Sequence, residues 1–336
     1  MRAWGLIVAA VFAACASSKG AGLPDGSGGS RGSGGSGGSR GSGGATGSGG
    51  GHDASGDSTL HLGDGAPSEG GGCTPPDMLI VLDHTDSMSD EPNGKKPANT
   101  AAGHLLSKWY LATQAVKAVV APPLDEKIAF GLELFPLDPH VVTDAGGTGK
   151  CQTLMKLLGG TASTNTSCEA GEILVAPAGG TGATITSLLD PEAVALCNTT
   201  PIKRALETAG SELASSAKSG VAQYVLLVTD GGETCASSAA VVTTAQGLAA
   251  AGVKTFVVGF GATEAGSAGV NVHLLDDLAC AGMTAPGFPA PCVKGAAGYT
   301  AKSTSGAPIF SLAEDGTSLE TALATITGSV CCGCVK

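Results

Sequence analysis

The chain has 336 residues, 42% hydrophobic and only 4% aromatic, with 54 glycines and a formal net charge of -11. No basic stripe interrupts that acidic balance, which excludes a nucleic-acid-binding surface of the usual electrostatic kind. An exported, solvated protein and a cation-binding one both fit it.

The amino terminus, "MRAWGLIVAAVFAAC", has one basic residue and then a nearly unbroken apolar run that stops at small residues before Cys15. That run is too short for a permanent bilayer span and predicts a secretory h-region. Phe12-Ala13-Ala14-Cys15 resembles the lipobox of bacterial lipoproteins. The resemblance implies a signal peptide over 1–14, acylation of Cys15 and a lipid anchor in the membrane; Ala16 after it leans toward outer-membrane sorting. An ordinary signal peptide cut elsewhere is the alternative. Residues 15–72 then form a Gly/Ser-rich segment, as in "GSGGSRGSGGSGGSRGSGG", with almost no large apolar side chain. Such a segment buries too little surface to offset the entropy of ordering, so it predicts a disordered tether. Its mean reach is about 40 Å on Gly-rich chain statistics.

Residues 73–336 are long enough for one domain with a full core. Of eleven cysteines one belongs to the lipobox. The even remainder in an exported chain predicts disulfides rather than the zinc site that "CCGC" would otherwise suggest, since that motif lacks partner spacing and a nearby His. "DMLIVLD" (77–83) is a continuous apolar run of strand length, which suits a parallel strand covered on both faces. Leu105, Trp109, Ala112, Val116 and Val120 recur at helical spacing, with Lys108 and Lys117 between them, and predict an amphipathic helix. "KIAFGLELF" (127–135) and "GEILVAP" (171–177) read as strands, and "ITSLLDPEAVAL" (185–196) and "PIKRALETAGSELASSA" (201–217) as helices. "QYVLLVTD" (223–230) is a strand, "AVVTTAQGLAAAG" a helix and "VKTFVVGFG" (253–261) a strand. "VHLLDDLACAG" and "SLETALATITGSV" are helical, with "GYTAK" a short edge strand between them. This alternation predicts an α/β fold, Rossmann-like and doubly wound, with a mostly parallel sheet flanked by helices. Ligands of such sheets bind beyond the carboxyl ends of the strands where strand order reverses. Asp83 and Asp230, each at a strand end, are placed to mark that point.

Asp83-His84-Thr85-Asp86-Ser87-Met88, then Thr200 in "NTTPIKRAL", then Asp230 in "LLVTDGGETC" resemble the von Willebrand factor type A (vWA) family. Its metal ion-dependent adhesion site (MIDAS) is D-x-S-x-S with a distant Thr and an Asp in a TDG context. The resemblance implies a divalent cation held by Asp83, Thr85, Ser87, Thr200 and Asp230, with Mg²⁺ foremost and Ca²⁺ or Mn²⁺ possible. All five offer hard oxygen, the donor type these ions take. It implies a protein partner that offers an Asp or Glu carboxylate, hence cation-dependent adhesion on the cell envelope, and no enzyme. Thr85 stands where the family has its first Ser, and Asp86 where Gly is common; the added charge raises cation affinity and weakens the pull on an acidic partner. Thr199 offers a second hydroxyl, and Thr200 is preferred because it precedes Pro201 at a helix start.

Each piece has a plain structural reading as well. Asp83 to Ser89 fits a polar turn, Thr200-Pro201 a helix cap with Pro at N1, and Asp230-Gly231-Gly232 a strand exit. A structural envelope protein with an empty or purely structural Ca²⁺ site is therefore the alternative function. No G-x-S-x-G, H-E-x-x-H or P-loop occurs, so an enzyme lacks a motif. Surplus length at 137–170, with Cys151 and Cys168, is expected to form an insert that is either a specificity surface near the metal or a disulfide-stapled ornament. Cys73 is expected to pair near Cys331–Cys334, and Cys197 with Cys235.

Overall fold

The computed structural model describes residues 74–98, 100–136, 152–153, 168, 170–189, 195–196, 199–263, 270–302 and 306–331. The signal segment, Cys15, the tether, Cys73, Cys197 and most of the 137–170 insert lie outside the described residues.

The elements in chain order are β1 (Asp77–Asp83), α1 (Ala101–His104), α2 (Lys108–Val119), β2 (Ala129–Phe135), β3 (Gln152–Thr153), β4 (Glu172–Ala178), α3 (Gly182–Leu188) and β5 (Ala195–Leu196). They continue with α4 (Ile202–Ser215), β6 (Gln223–Thr229), α5 (Ser238–Ala250), β7 (Val253–Phe260) and α6 (Val272–Ala281). Last come β8 (Cys292–Lys294), β9 (Tyr299–Ala301), β10 (Ser311–Ala313) and α7 (Gly316–Val330). A single 3₁₀ turn, Asp86–Ser89, follows β1.

Six strands form the main sheet in the order β10-β7-β6-β1-β2-β4. Every pairing is parallel except β2 with β4, which is antiparallel. The chain is an α/β fold with a mostly parallel sheet between helices. β1 shows why its apolar run is unbroken: Met78, Ile80 and Leu82 join one core with residues of α2, α3 and α7, while Leu79 and Val81 join another with residues of α4, α5 and α6. A strand covered on both faces has no polar side to alternate with. From β1 the chain first steps to β2 on one side and later to β6 on the other, so strand order reverses between β1 and β6. A crevice opens there beyond the strand ends.

Three expectations need correction. The helix expected over 185–196 ends at Leu188, and Ala195–Leu196 instead pairs with Gln152–Thr153 as a two-residue ladder; Pro191 cannot continue a helix. The short strand read at "GYTAK" is β9, which among the described residues pairs with β8 in a separate two-stranded sheet, while β10 stands at one edge of the main sheet. Leu105 precedes α2 rather than belonging to it, and is 46% exposed. Cys235 is bonded to Cys168, not Cys197. A second bridge, Cys280–Cys292, ties α6 to β8. Cys331 is also disulfide-bonded.

Candidate metal centre

Asp83 closes β1 and Asp230 follows the last residue of β6, so the two carboxylates crown neighbouring strands at the crevice. Both are fully buried. One oxygen of Asp83, Oδ1, accepts the Thr85 N–H at 2.9 Å, and the other accepts the Thr229 hydroxyl at 2.5 Å. Burial first, and then the charge of Asp230, push the Asp83 carboxyl above its ordinary range, against the hydrogen bonds from Thr229 and Thr85. Burial likewise raises Asp230, while the Lys108 ammonium and the Ser87 hydroxyl pull it back down.

The 3₁₀ turn after β1 swings the next hydroxyls toward Asp230. Ser87 Oγ donates to Asp230 Oδ1 at 2.8 Å, and Thr85 Oγ1 lies 2.9 Å from Ser87 Oγ. A hydroxyl has one proton. With the Ser87 proton committed to Asp230, Thr85 is the donor in the second pair, and lone pairs remain on both oxygens. Hydroxyl oxygens held this way are ready-made ligands for a hard cation.

Thr200 enters from the loop before α4. Its N–H donates to Thr234 Oγ1 at 2.7 Å, and its carbonyl accepts the Thr234 N–H at 3.1 Å. A Cβ added at Gly231 would lie 3.8 Å from Thr200 Oγ1, so that hydroxyl borders the residue next to Asp230. Glu233 completes the lacing: its carboxylate accepts the N–H groups of Lys203 at 2.8 Å, Cys235 at 2.6 Å and Ala236 at 2.8 Å. It thereby covers an amide at the start of α4, where orphan donors need partners. The Cys168–Cys235 bridge anchors the same loop from outside.

The structure thus gathers Asp83, Thr85, Ser87 and Asp230 in one hydrogen-bonded chain and sets Thr200 beside it. The donor set, two carboxylates and three hydroxyls, is of the chemistry that suits Mg²⁺, Mn²⁺ or Ca²⁺. Among the described residues no group of three or more His, Cys, Asp or Glu is placed to hold a metal. His84, inside the motif, points elsewhere: it is buried edge-on to Trp109 with ring centroids 5.0 Å apart, and burial lowers its pKa to about 3. It is a neutral core residue.

Sequence reasoning missed three participants, Thr229, Glu233 and Lys108. Lys108 opens α2 with no exposed surface, and its ammonium forms an ion pair with Asp230 Oδ2. A signal was available in the spacing, because Lys108 lies four residues before Ala112 and so shares the buried stripe of its helix.

Residues 180–286 match the family model of the von Willebrand factor type A domain, a span that contains Thr200 and Asp230. None of the curated proteins matches the chain. Among solved structures, an aerotolerance-related membrane protein from Bacteroides fragilis is 14% identical with a TM-score of 0.39, covering 62% of this chain and 88% of its own. Proximal thread matrix protein 1 of the mussel byssus, in a form with a zinc-occupied MIDAS motif, is 14% identical with a TM-score of 0.42; the match covers 76% of this chain and 46% of the mussel protein. The manganese-loaded TRAP protein of Plasmodium vivax is 17% identical with a TM-score of 0.37, covering 62% of this chain and 63% of that one.

Proposed function

We propose that the von Willebrand factor type A domain carried by this chain is a cation-dependent protein-binding module displayed on the cell envelope. Asp83, Thr85, Ser87, Thr200 and Asp230 would hold the ion, Mg²⁺ in the first place and Mn²⁺ or Ca²⁺ as substitutes. When bound, the ion supplies an electrophilic vertex that an Asp or Glu carboxylate of a protein partner completes. The observation that carries this reading is the linked set Asp83, Thr85, Ser87 and Asp230 at the point where strand order reverses.

The chain's own residues prepare the site. Thr229 and the Thr85 amide fix the Asp83 carboxylate, and Ser87 fixes one oxygen of Asp230. Thr234 holds the Thr200 backbone from two sides. Ligands held this way lose little further freedom when an ion enters. The family match is consistent with a non-enzymatic role.

Calorimetric titration of the full chain with Mg²⁺, Mn²⁺ and Ca²⁺ tests the site. Saturable binding weakened at least about tenfold by Ser87→Ala is expected; heats indistinguishable between the two proteins would count against it. Envelope display rests on the amino-terminal pattern that ends at Cys15. Among the described residues no helix is long and apolar enough to cross a membrane. Membrane fractionation should find the native chain in the membrane pellet and Cys15→Ser released; retention of the variant would remove the lipid anchor from the proposal.

A further inference from the structure

Lysine is among the residues least often fully buried, because its ammonium costs several kcal/mol to desolvate unless paired. Lys108 is nevertheless among the largest fully buried side chains of the domain. Its backbone N–H donates to the Asp90 carbonyl at 2.7 Å, which starts α2 against the loop that follows the 3₁₀ turn. From there the side chain passes beneath Gly261, where an added Cβ would lie 3.6 Å from Cδ and 3.8 Å from Nζ. It ends on Asp230 Oδ2. Ser87 holds the other oxygen, Oδ1. The ammonium and the Ser87 hydroxyl therefore engage different oxygens of one carboxylate, and the hydroxyl side is left to a cation. A residue required only for packing at this position would be met as well by Leu or Met, and replacing a buried ion pair in that way is often neutral or stabilising.

We infer that Lys108 is a tethered counter-cation of the site: it neutralises Asp230 when no divalent ion is bound, and gives the loaded site one positive charge beyond the ion's own. This rests on the metal-centre reading proposed above. Two consequences follow from Coulomb's law at short range in a buried setting. The domain folds without a divalent ion, and it holds one more weakly than the same oxygens would alone. The extra positive charge in turn strengthens the attraction for an incoming carboxylate.

The test compares the full chain with Lys108→Met in EDTA and in Mg²⁺. Native protein should stay folded in EDTA and gain less Tm from Mg²⁺ than the variant does. Lys108→Met should melt lower in EDTA, recover in Mg²⁺, and bind Mg²⁺ at least about tenfold more tightly than native protein by calorimetry. Equal Mg²⁺ affinity in the two proteins, or an unchanged Tm for the variant in EDTA, overturns the inference.

Loss of one partner of a buried pair can prevent folding, so Lys108→Met combined with Asp230→Asn serves as a second variant. Failure of the single variant with folding of the double one supports the counter-charge role; failure of both assigns Lys108 to packing and overturns it. If neither native protein nor Lys108→Met binds any divalent ion, the metal-centre reading fails, and the EDTA comparison still decides whether Lys108 neutralises Asp230.

Discussion

Glu133 lies in β2 beside Val81 with no exposed surface, and among the described residues neither of its carboxylate oxygens meets a hydrogen-bond donor. A Cβ added at Gly171 would fall 2.0 Å from its Oε1, so a larger residue there would displace the Glu133 side chain. Burial holds this carboxyl well above its usual range. The folded chain therefore keeps a proton that the unfolded chain releases above about pH 4.5. The sign follows: the stabilising contribution is complete below that pH and fades as pH rises toward the folded-state value. Glu133→Gln removes the linkage. Urea unfolding across pH 4 to 8 should find the variant gaining on native protein steadily as pH rises above the unfolded-state value. Parallel stability curves would contradict this. Glu133 and Lys108 also mark where single residues escape sequence reasoning. A charged side chain in an apolar pattern is taken as the solvent face, because long charged residues ordinarily keep their heads in water. The oxygen donors of the site were legible for the opposite reason, as polar residues crowded at the ends of apolar strands.

At the scale of elements, β1, β6 and β7 were legible almost to the residue because burial on both faces leaves an unbroken apolar run bounded by polar turns. The short elements were not. β5, β8 and β10 have two or three residues each, too few to show any period, and their partners are set by the tertiary fold and, for β8, by the neighbouring Cys280–Cys292. Disulfide pairing was equally closed to spacing arguments, and Cys235 is bonded to Cys168 across 67 residues of sequence. That bridge ends on the loop whose Glu233 and Thr234 hold α4 and Thr200. Replacing both cysteines by Ser should cost about 2–4 kcal/mol of stability through the freed unfolded chain. It should also weaken Mg²⁺ binding, since Thr200 loses an anchored neighbour. Chemical denaturation and metal titration of the double variant check both effects; unchanged metal affinity would mean that Glu233 and Thr234 hold the loop without the bridge.

For the whole molecule, the reversal of strand order between β1 and β6 explains why residues as far apart in sequence as Asp83, Thr200 and Asp230 meet. Strands on either side point their carboxyl ends at one crevice, and the loops that leave them supply the donors. Sequence alone could group Thr200 with the strand-end donors only through their resemblance to a known motif, since the crevice exists only after the sheet has formed. It could not show that the fold places an ammonium there as well. The most direct test of a cation at this crevice is anomalous scattering from crystals of the full chain grown with Mn²⁺. The account predicts one peak among the oxygens of Ser87, Thr85, Thr200 and the two aspartates, lost in Ser87→Ala. Crystals that bind Mn²⁺ elsewhere, or not at all while Asp230 stays paired with Lys108, would contradict it.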